Sequence, residues 1–368
     1  MRFVSTAAVV DKLELARNVP SERPDGAPLL RAGTVVSPEL AARAAASGIC
    51  GIWVEDELGR EIAPPPEFPA DVIGAALHAA RRALDAAPAA IAAGRELDNT
   101  LLRALQQAAG DLADAVLEYP ADDCPFSDIA VRLATPHWHA VRVALLGTFI
   151  GRRALSKSGW IDYQGVQRFD ALDERLSTLA LGLLAHDIGV PPSSARGSGP
   201  TACMELESEQ DVEHLGRGVS LFAAESTHAA MRVVIQSHHE RWGGQGYPER
   251  KCRDATAVNA RIAAIADAYD AMIATGAGRE PLPVHAAVGR IEQGAGAEFD
   301  PSLVAHFQAL MPPYPVGHEL TLPDQRSAVV VALPPGDVLR PTVRVHSESA
   351  PIVELVADLT TQPSRAAA

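Results

Sequence analysis

Seven side chains able to hold a metal ion stand at marked places along this chain. The run HHERWGGQGYP, residues 238–248, sets His238, His239 and a glutamate directly before three glycines, a tyrosine and a proline. His186 and Asp187 follow an apolar run in LLAHDIGV, and His139 lies in the apolar HAVRVALLG. His214 sits in DVEHLGRG, and Asp267 lies inside IAAIADAYDAM. Imidazole nitrogens and carboxylate oxygens together suit a borderline divalent ion such as iron, manganese, zinc or nickel. An aspartate inside an apolar helix is costly to bury unless it is paired or coordinated. Neighbouring residues on a helix diverge by about 100°. A pair such as His186-Asp187 or His238-His239 can therefore serve two ions roughly 3.5–4 Å apart, with a carboxylate between them. A lone His139 would read as an ordinary core histidine, but seven such residues on five predicted helices do not. His137, His228 and His306 lack this context and read as structural or exposed.

The elements that must position these residues are helical. Apolar residues recur at helical spacing in TPHWHAVRVALLGTFIGRRAL, STLALGLLAHD, DVEHLGRGVSLFAAE, AAMRVVIQSHHE and ATAVNARIAAIADAYDAMIA, which places a helical domain over 125–312. Before it, residues 1–60 read as a small α/β regulatory module. There SPELAARAAASG forms a serine-capped helix and GICGIWVED a strand. Residues 61–124 read as a proline linker and alanine-rich helices, a separate segment that serves as a signalling pair or packs on its own domain. Residues 313–350 have β-branched runs broken by PD and PPGD, the pattern of a small β unit, and 351–368 reads as a frayed tail. The fold class is mainly α.

Composition narrows the function. The 368 residues are 47% hydrophobic and 5% aromatic with abundant alanine, which favours close-packed helices. The net charge of −14 repels phosphate backbones and anionic lipid, so neither a nucleic-acid polymer nor a membrane is an expected partner. Cys50, Cys124, Cys203 and Cys252 lie far apart and fit reduced thiols. The N-terminal stretch lacks a basic region and no long apolar run occurs, so a cytoplasmic protein is expected.

In this order, HAVRVA, HDIG, His214, HHERWGGQGYP and IADAYDAM resemble the HD-GYP subgroup of HD-domain phosphohydrolases, and FDPSLVAHF at 299–307 is similar to a helix start near the end of that domain. The N-terminal module resembles one found before such domains. The resemblance implies an HD-domain helical bundle with two divalent transition metal ions, iron or manganese. One ion would be held by His139, His186, Asp187 and Asp267, the other by Asp187, His214, His238 and His239. The implied reaction is hydrolysis of a cyclic dinucleotide, typically cyclic di-GMP, to linear pGpG or GMP. A hydroxide shared by the metals would act as nucleophile, with His186 and Asp187 at the catalytic centre. Implied partners are a diguanylate cyclase domain and a second copy of the chain. Gly243, Gly244 and Gly246 leave the backbone free to take positive φ and turn the loop, which either presents Tyr247 and Pro248 near the surface or lets Tyr247 pack back on its own domain.

Four departures weaken the substrate shell. Val190 stands where the family has a lysine that contacts phosphate. Gly243 stands where it has Asp or Asn, and Thr135 where some members have a glutamate for a third metal. After Asp267, GAGREPLPVH leaves Arg279 as the one substrate-binding candidate. The segment GWIDYQGVQRFD reads as an inserted loop covering the site. An active hydrolase with altered preference or low rate is the first reading. A catalytically weak or inactive cyclic-dinucleotide sensor or scaffold that keeps the metals is the alternative.

Overall fold

The computed structural model describes residues 1–360 except 24, 122, 127–134, 162–163, 192–208, 223–228, 275–280, 335 and 348–349. The chain opens with an antiparallel four-stranded sheet, order β1-β4-β2-β3, formed by β1 (Arg2–Ser5), β2 (Leu13–Leu15), β3 (Val35–Val36) and β4 (Gly51–Glu55). Helix α1 (Pro38–Ala46) lies between β3 and β4. Ser37 caps α1 by accepting from Leu40 N, and Pro38 occupies the first helical position, where its missing N–H costs nothing. Leu15, Val36, Ile49, Ile52 and Val54 make this module's own small core.

A proline stretch follows, tied down at both sides. The Arg17 guanidinium donates to the Pro64 and Pro65 carbonyls, and the Tyr119 hydroxyl donates to Pro66 O. Helices α2 (Ala70–Ala92) and α3 (Asn99–Glu118) then pack against α4 (Pro136–Ser158) and α5 (Leu172–Ala185). Helices α6 (Glu209–Ser220), α7 (Ala229–Ser237), α8 (Val258–Ile273), α9 (Val284–Gln293) and α10 (Pro301–Leu310) complete the helical part. One core runs from Phe68 to Met311. The sequence-based boundary at 124 therefore does not divide the packing. Ala76, Ala80 and Ala83 on α2, and Ala108 and Ala109 on α3, are small enough to bring these helices into the same core. Helix α4 is central: its residues from Trp138 to Arg152 are buried on every side, as expected of a helix apolar nearly all round.

Two further expectations change. The GWIDYQGVQRFD segment forms a hairpin of β5 (Trp160–Ile161) and β6 (Gln167–Arg168), pinned by the Arg175 guanidinium 3.1 Å over the Trp160 ring. His139 lies in the first turn of α4 and the hairpin follows its last residue, about 28 Å along the helix at 1.5 Å per residue. The hairpin does not cover the site. The C-terminal sheet, order β10-β9-β8-β7, uses β7 (Glu319–Thr321), β8 (Ser327–Ala332), β9 (Thr342–Ser347) and β10 (Ala350–Val356). The expected tail from 351 thus begins as a strand, because β9 pairs its backbone and Ala357 and Leu359 are buried beyond it.

The two ends of the chain meet. Phe3 N donates to Gly317 O at 2.8 Å, and the Phe3 ring stacks on His318 with centroids 4.7 Å apart. Arg344 Nη1 reaches the Leu58 and Arg60 carbonyls. No disulfide joins Cys50, Cys124 and Cys252, and Cys203 lies outside the described residues. No helix among the described residues is long and apolar enough to cross a membrane.

Candidate metal centre

The ends of three helices, α4, α5 and α7, and the middles of α6 and α8 converge on one buried cluster. Thr135 caps α4 by accepting from Trp138 N, which starts the helix where His139 falls on its inner face. Helix α5 ends at His186, and Asp187 lies in the turn that follows. Gly189 lets α6 close on that turn: a Cβ there would stand 2.0 Å from His214 O and 2.4 Å from Gly218 N. Close backbone contact at Gly189 is thus what brings His214 into the cluster. His238 and His239 directly follow α7, and Asp267 projects from α8.

Asp187 stands between two groups. Its Oδ2 lies 3.9 Å from His139 Nε2 and 3.7 Å from His186 Nε2. Its Oδ1 lies 3.5 Å from His214 Nε2 and 3.4 Å from His238 Nε2. Asp267 Oδ1 joins the first side at 3.3 Å from His139 Nε2 and 4.0 Å from His186 Nε2. His239 belongs to the second group, whose ligand atoms all fall within 4.8 Å of one another. All seven residues picked out in the sequence are therefore together.

The ring nitrogens are oriented for a cation. A carbonyl only accepts, so His186 Nδ1 donates to Leu183 O at 2.7 Å, and His238 Nδ1 donates to Val234 O and Ile235 O at 3.1 Å. His139 Nδ1 donates to Asp270 Oδ2 at 2.7 Å. His186 and His238 then turn an Nε2 lone pair inward, as metal-binding histidines do, and His139 turns its Nε2 toward Asp267 and His186. His238 Nε2 and Asp187 Oδ1 are thus two acceptors 3.4 Å apart, and among the described residues neither has a hydrogen bond. Both ring nitrogens of His239 also have none. A buried polar atom left unsatisfied costs about 1–3 kcal/mol. A positive ion between these atoms removes that cost, so the residues fit divalent metal.

The electrostatics agree. Burial disfavours charge on His139, but the hydrogen bonds it donates to Asp267 and Asp270 outweigh that and raise the imidazole to about 10. Burial opposes ionisation of Asp187 and Asp267, yet the surrounding imidazoles hold Asp187 well below the usual carboxylate range and Asp267 at about 2. Burial lowers His186, and burial with the neighbouring His238 and Arg241 keeps His239 well below its ordinary value. Anionic carboxylates facing the imidazoles of His186 and His239, which burial keeps uncharged, make a ligand set ready for a cation.

Two contributors escaped the sequence reading. Asp270 is 0% and Arg142 1% exposed. Arg142 Nε meets Asp270 Oδ1 at 2.5 Å, and its Nη2 meets Oδ2 at 3.0 Å. The arginine fixes the carboxylate that fixes His139. The available signal was the i, i+3 spacing of Asp267 with Asp270 and of His139 with Arg142, which puts each pair on one helix face.

The loop after His239 folds back on the cluster. A Cβ on Gly246 would stand 2.4 Å from His239 O and Arg241 N, so glycine alone permits this approach. Tyr247 N donates to His239 O at 3.2 Å, and Glu240 Oε1 accepts from Glu249 N at 2.8 Å. Tyr247 is half-buried, its ring stacked on His239, whereas Pro248 is exposed. Of the two arrangements open to Tyr247, the one packed on its own domain holds: the close loop backbone turns it inward. Of the three glycines free to take positive φ, only Gly244 takes it, at +83°.

An HD domain family matches residues 152–303. The HHE run, its folded-back GYP loop and the shared Asp187 stand in and around that match. The chain carries an HD domain with the motifs of the HD-GYP kind. It is 33% identical over 132 residues to a probable cyclic di-GMP phosphodiesterase of Vibrio cholerae, covering 33% of this chain and 30% of that protein. It is 35% identical over 161 residues to a cyclic di-GMP phosphodiesterase of Thermotoga maritima, covering 43% and 44%. The chain thus spans less than half the length of these relatives. Its fold is similar to that of Bd1817, an HDG"Y"P protein from Bdellovibrio bacteriovorus, with TM-score 0.50 and 16% identity over 83% of this chain and 97% of the other.

Around the HD-GYP centre, Val190 is half-buried and its N–H donates to Asp187 O at 3.0 Å, so it closes the turn and brings no charge. Thr135 is occupied as a helix cap. Gly243 bridges to Cys252 and donates to Ala297 O at 2.7 Å. His137 bonds Glu22 of the N-terminal module at 3.1 Å, and His306 is half-buried on α10, both away from the cluster. Arg279 and His228 lie outside the described residues.

Proposed function

We propose that this protein is a metal-dependent phosphodiesterase that hydrolyses a cyclic dinucleotide, first of all cyclic di-GMP, to linear pGpG or GMP. The observation that carries the reading is the division of Asp187, with one oxygen toward His139 and His186 and the other toward His214 and His238. His139, His186, Asp187 and Asp267 would hold one ion, and Asp187, His214, His238 and His239 a second. Two such ions, iron or manganese, supply a nucleophile at neutral pH and positive charge for the phosphoryl oxygens. The chain's own residues keep the ligand carboxylates ionised and aim the imidazoles of His139, His186 and His238. The names of the relatives in Vibrio cholerae and Thermotoga maritima support the substrate class.

Val190 gives the substrate phosphate no ammonium, which favours a slow enzyme. The same residue favours the second reading, a sensor or scaffold that keeps the metals and binds the nucleotide without cleaving it. A diguanylate cyclase domain or a second copy of the chain is the further partner proposed, with the exposed loop tip Pro248, Glu249 and Arg250 as the surface on offer. The test is metal analysis of anaerobically purified protein, then a cyclic di-GMP turnover assay on the same sample. Release of pGpG or GMP that disappears in Asp187→Ala supports the enzyme. Nucleotide bound but intact on metal-loaded protein assigns the sensor, and failure to take up metal or nucleotide overturns both.

A further inference from the structure

His239 is held differently from its neighbours. His139, His186 and His238 are each aimed by a hydrogen bond from Nδ1. His239, 4% exposed, has no hydrogen bond at either ring nitrogen. Among the described residues no hydrogen bond sets its tautomer or the rotation of its ring, although a ligand must point one nitrogen at the ion. What does face the ring is Tyr247, with centroids 4.7 Å apart and planes at 18°. His238 and His214 border it on other sides at 4.1 and 5.3 Å, tilted by 43° and 82°. The Tyr247 ring is therefore the near-parallel wall against which His239 lies.

That wall is anchored. Tyr247 N donates to His239 O, Gly246 touches the same carbonyl, and Glu240 holds Glu249 N just beyond. Tyrosine and histidine are thus tied through the backbone on both sides of the stack. A stacked aromatic ring restricts its partner to rotation within the shared plane and keeps a flat apolar face on it.

We propose that Tyr247 is a positioning residue that sets the ring plane of His239, so that the loop controls metal affinity in the group Asp187, His214, His238 and His239. This rests on the two-metal reading and adds that the two groups are supported unequally. The His139 side is braced by Asp270 and Arg142 within the helices, and the His239 side by a loop ring. Loss of an outer partner typically lowers metal affinity about 10–100-fold. Tyr247→Leu fills space without a π face, and Tyr247→Phe keeps the stack without the hydroxyl.

The experiment is manganese titration of the full chain, with bound ions counted by elemental analysis and the manganese–manganese coupling read by electron paramagnetic resonance. Wild type and Tyr247→Phe are expected to take two ions with a coupled signal. Tyr247→Leu is expected to hold one ion as tightly as wild type and the second about 10–100-fold more weakly, with the coupled signal lost at limiting manganese. Two ions bound by Tyr247→Leu with wild-type affinity overturn the role of Tyr247 and leave the two-metal reading standing. A wild type that takes fewer than two ions overturns the two-metal reading, and this inference with it.

Discussion

Asp270→Asn separates folding from metal binding at the other side of the centre. The substitution keeps the shape of the side chain but removes the counter-charge of Arg142, on a pair that is 0% and 1% exposed. Breaking a buried ion pair by removing one partner costs about 3–5 kcal/mol. Domains are stable by about 5–15 kcal/mol, so the variant should lose a large part of its margin. The asparagine can also turn its NH2 toward Arg142 or His139, where only an acceptor is useful. His139 then loses one of the two carboxylates that raise it, and its Nδ1 is no longer held as the donor. Urea unfolding should show a lower midpoint with an unchanged slope, and manganese titration about 10–100-fold weaker binding. The decisive companion is Arg142→Met with Asp270→Leu. Replacing a buried pair by apolar residues of similar volume is often neutral or stabilising by about 1–4 kcal/mol. That double variant should recover stability and still bind manganese poorly, because His139 has no anchor. Recovery of metal affinity along with stability would refute the orienting role of Asp270. A single variant that loses less than about 1 kcal/mol would refute the buried pair as a major support.

Other outcomes follow from the same geometry. Asp187→Ala should abolish binding of both ions together, whereas Asp267→Ala should weaken only one; elemental analysis of the two proteins distinguishes them. Val190→Lys should raise cyclic di-GMP turnover by roughly ten- to a hundred-fold, since a charge-assisted hydrogen bond is worth about 1.5–3 kcal/mol. No change in turnover would place the phosphate away from the HDIG turn. Burial holds His318 at about 4, below its ordinary 6.5, where it stacks on Phe3 at the junction of the two end sheets. The unfolded chain therefore takes up this proton first. The stabilisation is complete above pH 6.5 and is lost as the pH falls toward 4, by at most about 3 kcal/mol. Urea midpoints of wild type and His318→Phe across that window should diverge, and parallel curves would count against it.

The ligand residues were legible in the chain because chemistry and pattern coincide in them. A histidine or aspartate set at the end of an apolar helical run is conspicuous, and the ordered set from His139 to Asp267 left little else to explain it. The mainly helical fold was legible for a similar reason: apolar spacing and caps such as Ser37 act within a few residues of sequence. Neither kind of signal reports which atoms face each other. That the two oxygens of Asp187 part between two groups depends on where α4 starts, where α7 ends and how α6 crosses one turn, and the last of these depends on Gly189 meeting α6. Asp270 and Arg142 looked like ordinary charges until two helices were brought side by side. The side on which Tyr247 lies stayed open because loop composition shows freedom to turn but not direction, and only the contact of Gly246 with His239 O decides that it turns inward. The strand at Ala350–Val356 and the shared core of the alanine-rich helices were settled in the same way, by partners distant in sequence. Local propensity acts over a turn of chain and is written in neighbouring residues. Packing acts between surfaces that meet only after the chain has folded, and there tertiary structure alone decides.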